Sequence, residues 1–155
     1  MKRLMVVLAA VVLTMVAVPA IPATAVERDG VNGGGHGTID GTTAFSQFGL
    51  EASRIADGGV SGHFNCLMAG VSEFAGFDLM AVRGKLTNVI INGDTATLEG
   101  IGMLQTGNQG KHPATFRAVV TEGGPGVGTL QLTLLAPFVF ELPTETVLNG
   151  GIHLH

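Results

Sequence analysis

The stretch that most constrains this chain is Lys85 to Gly102, KLTNVIINGDTATLEGIG, in which two half-apolar runs flank Asn92-Gly93. Asn-Gly suits a two-residue hairpin turn, because a type I′ turn needs positive φ at both central residues. A turn centred there sets Ile91 opposite Asp94, Val89 opposite Ala96 and Thr87 opposite Leu98. Side chains alternate along a strand, so Val89, Ile91, Ala96 and Leu98 share one face, and Asn88, Ile90, Thr95 and Thr97 share the other. The segment is a hairpin with one apolar face.

The same pattern recurs along the chain. In Thr42–Ile55, Ala44, Ser46, Phe48, Leu50 and Ala52 fall on one face, and Ala56-Asp57-Gly58-Gly59 follows as a turn signal. Val60–Met68 reads as the partner strand, with Phe64, Cys66 and Met68 on its core face and His63, Asn65 and Leu67 on the other. Ala69–Gly76 reads as a longer connection and Phe77–Val82 as a short strand leading into the hairpin. Ala114–Thr121 alternates Phe116, Ala118 and Val120 against Thr115, Arg117 and Val119. Thr129–Leu135 and Phe138–Leu142 are broken by Pro137 and Pro143, and the last residues are extended. No segment carries a sustained 3.6-residue stripe with caps. Turns recur every 8–12 residues, the spacing of antiparallel β architecture. The expected fold is all-β: a single antiparallel barrel of about eight strands, with a β-sandwich as the alternative.

The first 25 residues differ. Lys2 and Arg3 precede an apolar run from Leu4 to Val18, Pro19 and Pro22 end it, and Ala23-Thr24-Ala25 fits a cleavage site. This order predicts a secretory signal peptide over 1–25 and an exported product, extracellular or periplasmic. The run is shorter than the ~20 residues of a membrane span, and no later stretch is long enough to be one. Cleavage before Val26 takes 25 of 155 residues and leaves 130, one domain. Residues 26–36 read as a flexible Gly-rich entrance, and 37–155 as the single β domain.

Composition narrows the function. Acids outnumber bases 12 to 8, and the bases are scattered, so neither nucleic acid nor an acidic membrane surface is expected as a partner. Trp and Tyr are absent, which removes the usual platforms of carbohydrate clefts. Cys66, the one cysteine, has no disulfide partner within the chain and reads as a buried small hydrophobe. Ser61 and His63 share a strand face without a nucleophile-elbow motif. His63, His153 and His155, with His36 and His112 as further donors, are the residues to consider for a metal. Their spacing matches no standard zinc signature, so no metal site, cofactor or catalytic set is expected.

Several pieces in order carry a resemblance: Gly33-Gly34-Gly35, Gln47-Phe48-Gly49-Leu50, Gly59-Val60-Ser61-Gly62-His63-Phe64, Ala96-Thr97-Leu98-Glu99-Gly100, Glu122-Gly123-Gly124-Pro125-Gly126, and Gly150-Gly151-Ile152-His153-Leu154-His155. Over Gly33 to His155 the chain resembles the post-COAP type of small exported bacterial domain. That resemblance implies an extracellular all-β module with no assigned activity, and it supplies no catalytic residues. The chain departs from the pattern at Val127, where a polar or acidic residue is expected, so no cation role is carried over to that turn. The expected function is a non-catalytic binding or surface-associated structural module, its partner a cell surface or a small molecule. The alternative is a small enzyme or apolar-ligand carrier with its site in the barrel interior or mouth.

Overall fold

The computed structural model describes residues 28–69, 79–107 and 110–155. The segment 1–25 read as a signal peptide, most of the connection read at Ala69–Gly76 and residues 108–109 lie outside the described residues. Nine strands follow in chain order, with no helix among the described residues: β1 Gly30–Thr38, β2 Ser46–Arg54, β3 Val60–Ala69, β4 Leu79–Asn92, β5 Thr95–Thr106, β6 Gly110–Thr121, β7 Thr129–Ala136, β8 Phe140–Glu141 and β9 Glu145–Leu154.

All pairings are antiparallel. Each strand from β1 to β7 pairs with the next, β7 pairs with β9, and β9 pairs with β1, which closes the sheet into a ring. β8 and β9 form one line along β7: Phe140 opposes Leu134, and Glu145 opposes Leu130. The line breaks around Pro143, which has no N–H to give the ladder. Past Thr146 the β9 strand leaves β7 and runs along β1 to Leu154. Its other edge is covered by the β6–β7 turn. There Gly123 and Ile152 exchange both backbone bonds at 3.0 Å, and Val147 N–H donates to the Gly128 carbonyl. No long open edge is left there to recruit a foreign strand.

The expected parity holds on β2, β3 and β6. Phe48, Leu50 and Ala52, then Phe64, Cys66 and Met68, then Phe116, Ala118 and Val120 all point inward and are buried. Phe64 and Phe116 lie side by side with ring centroids 5.2 Å apart. Phe116 lies over Gly84 and Gly100; a Cβ on Gly84 would come within 2.8 Å of its ring, and one on Gly100 would overlap it. These two inward positions have no room for a side chain, because the Phe116 ring and a neighbouring carbonyl, that of Ile101 at Gly84 and that of Lys85 at Gly100, take the space.

Three expectations are corrected. First, Gly30–Thr38, most of the supposed flexible entrance at 26–36, is strand β1, paired along its length with β2 and β9. Second, the hairpin turns one residue later than expected. Asn92 stays in the ladder opposite Thr95, and Gly93, with φ of 59°, takes the first turn position beside Asp94. Val89 therefore faces Leu98 and Ile91 faces Ala96. The apolar face is unchanged, because the partner shifts by two positions and parity is kept. Third, the short strand expected at Phe77–Val82 is continuous with the hairpin. β4 runs from Leu79 to Asn92 and carries a bulge between Leu86 and Asn88, so its inward positions change from even to odd numbers across Thr87.

Candidate functional site

Two features stand out: a polar cluster buried at one end of the ring, and a groove on its outer wall. The cluster draws on three strands. Ser46 opens β2, Cys66 lies on β3 and Glu145 opens β9. All three are buried, Glu145 at 1% exposure. The Ser46 hydroxyl donates to Oε2 of Glu145, and Cys66 lies diagonal to Ser46 across the β2–β3 pair. Gly37 on β1 makes the room, since a Cβ there would overlap the Glu145 carboxylate. Burial pushes the Glu145 carboxyl up to about 7, against the opposing pull of the Ser46 hydrogen bond. Burial first, and then the Glu145 charge, push the Cys66 thiol far above its ordinary range. A thiol held protonated in this way is a poor nucleophile.

Beside this cluster, the loop after β1 is tied by one side chain. Asp40 Oδ1 accepts from the Thr38 hydroxyl at 2.9 Å, from Thr42 N–H at 2.8 Å and from Thr43 N–H at 2.7 Å. These bonds, those from the Thr43 and Thr42 backbone first, hold the Asp40 carboxyl well below the usual carboxylate range.

The histidines do not converge. His63 points outward from β3 and faces Glu51 across the β2 pair, 4.0 Å from Nδ1 to Oε2, both side chains about two-thirds exposed. His153 points outward from β9, with β1 and β2 between it and β3; three interstrand steps amount to roughly 14 Å. The His155 ring sits over Gly30, and His36 bonds Asn149 Oδ1 at 2.8 Å. Among the described residues no three of His, Cys, Asp and Glu group as a metal site. Ser61 is exposed on the outer face with His63, and no hydrogen bond joins the two.

The groove, about 500 Å³, crosses the outer wall from β4 to β7. Lys85 stands at one end and Ala136 at the other, with Ile101, Pro113 and Thr115 as walls and Gly102 and Ala114 between them. The register sets this order: Lys85 opposes Ile101, Ile101 opposes Thr115, and Thr115 opposes Ala136. A smaller hollow of about 150 Å³ adjoins it and is lined by Ala81, Arg83, Met103, Gln105 and Lys111. Sequence reading missed both features. The partners Ser46 and Glu145 are 99 residues apart and form no motif, and the groove takes one to three residues from each of four strands.

No family model, curated protein or solved structure matches the chain. Among the described residues no helix is long and apolar enough to cross a membrane.

Proposed function

We propose that the chain is an exported, non-catalytic β module of the post-COAP type that works through its outer wall, as a binding or surface-associated structural domain. The observation that carries this reading is the state of Cys66. The only thiol has no solvent exposure and is held protonated by that burial, while the concave surface described above lies outside the ring. The family reading rests on the order of the motifs in the sequence. Export rests on the charged start, apolar run and Ala23-Thr24-Ala25.

The test is thiol accessibility in the native protein. A small thiol reagent at neutral pH should label Cys66 only as fast as the chain opens. Rapid labelling would mean a reactive interior open to solvent, and the enzyme reading would replace this one. N-terminal sequencing of material from the culture medium or periplasm should begin at Val26; an intact Met1 in a membrane fraction would refute export.

A further inference from the structure

We propose that the outer groove binds a monomeric anionic amphiphile, with its acid group at the β4 end and its apolar chain lying toward β7. This rests on the reading of the chain as a module that binds through its wall, and it assigns that wall a ligand class.

The groove is polarised along its length. At the β4 end Lys85 lines it, and Arg83 projects from the same strand face two residues away. Lys111 joins Arg83 in the adjoining hollow, with exposed Met103 between the two strands that carry them. Three of the chain's eight lysines and arginines thus gather on one patch of a protein whose formal charge is −4. Among the described residues none of the three has an ion-pair partner. The nearest outward acid along β5, Glu99, is already taken by Arg117 at 2.8 Å and by Asn88. At the β7 end the surface is apolar: Ala136 closes the groove, and Phe138 and Val139 follow it, 42% and 77% exposed. Ile101, 55% exposed, lies midway.

The β4-to-β7 width is three interstrand steps, roughly 14 Å. A groove of 300–1,000 Å³ with apolar walls and a few placed polar groups is what a small-molecule site requires. Unpaired cations at one end and uncovered apolar side chains at the other complement a molecule with a carboxylate or sulfate head and an aliphatic tail. The concavity fits one such molecule better than a flat bilayer surface, which would meet the three cations but not enter the groove.

The probes are dodecanoate, dodecanol and dodecyltrimethylammonium below their aggregation limits, read by calorimetric titration against the full mature chain. Dodecanoate should bind more tightly than dodecanol, and the cation least. Lys85→Gln should weaken dodecanoate about five- to tenfold, in line with the loss of one charge-assisted contact at an exposed site, and leave dodecanol within about twofold. Thr115→Trp should abolish binding of both by filling the groove. Ala136→Trp does the same from the next strand if the first variant folds poorly. Equal affinity for dodecanoate and dodecyltrimethylammonium, or a Thr115→Trp variant that folds and binds as before, would overturn the proposal. So would binding to phosphatidylglycerol vesicles with none to monomeric dodecanoate, which would assign the patch to a membrane surface. Failure of dodecanoate to bind while Cys66 stays protected removes this ligand class and leaves the wall-binding module standing. Rapid labelling of Cys66 removes the module reading itself.

Discussion

Glu145→Gln should remove most of the pH dependence of stability between pH 5 and pH 8. The carboxyl is buried, and its folded value of about 7 lies above the 4.5 expected of an unfolded chain. A raised acid binds its proton more tightly when folded. Its penalty is therefore absent at low pH, grows as pH rises past the unfolded value, and levels off above the folded one. A gap of about 2.5 pH units corresponds to roughly 3 kcal/mol in full. Between pH 5 and pH 8 the wild type should lose about 2–3 kcal/mol of unfolding free energy. The glutamine is neutral throughout and still offers Ser46 an acceptor oxygen, so the variant should change by less than about 0.5 kcal/mol over that window. Asp40 and Glu99, both shifted down, act at lower pH and do not confound the comparison. The assay is urea unfolding of both proteins at pH 5, 6.5 and 8, with slopes compared to check that the unfolded states match. Equal losses in wild type and variant would refute the reasoning, because the titrating group would then lie elsewhere.

Further outcomes follow from single positions. Gly93→Ala should cost about 1 kcal/mol by urea unfolding, because φ of 59° penalises a Cβ that meets no atom within 4 Å, and Gly93→Asn should cost less. Gly100→Ala should cost about 1–3 kcal/mol, since its Cβ would overlap the Phe116 ring and lie 2.6 Å from the Lys85 carbonyl oxygen; a neutral result would mean that the ring shifts freely. Cys66→Ser should lower stability by about 1–3 kcal/mol by burying a second hydroxyl beside Ser46, with groove binding by titration unchanged.

What could be read from the sequence was the parity of strands with large inward side chains. Phe64, Cys66 and Met68, or Phe116, Ala118 and Val120, announce a face by themselves. β1 could not be read, because GVNGGGHGT offers few side chains to alternate. Its conformation is fixed from outside. Gly34 pairs with Gly49 on one side and Gly151 on the other, and a Cβ on Gly33 would lie 2.8 Å from the Gly151 carbonyl. A glycine run costs entropy to order, and local sequence shows only that cost. The strand forms because two neighbours already present ladders that need a partner between them. The hairpin was legible in its faces but not in its register. Asn92 and Gly93 both suit a turn, and the bulge at Thr87, which resets the pairing, has no signature in the residues around it.

The glycines also explain why the interior of the ring is full and the concave surface lies on the outer wall. A closed ring of eight strands has an interior just wide enough for side chains or one small ligand. Here Gly84 and Gly100 give their interior space to Phe116, and Phe116 packs on Phe64, so the middle of the ring is occupied by rings from two strands. At one end Gly37 gives its space to the Glu145 carboxylate in the same way. Each interior gap that a missing side chain opens is thus filled by a neighbour. On the wall between β4 and β7 the concavity has another origin. Gly102 and Ala114 point inward, Ala114 into the core, so only their backbone floors the trough, between the outward side chains of Ile101 and Thr115 on one side and Pro113 on the other, with Lys85 at its end. Replacing the outward side chains Ile101, Pro113 or Thr115 should therefore reshape the groove, whereas replacing Gly102 or Ala114, like the other inward small residues, should change how stably the chain folds.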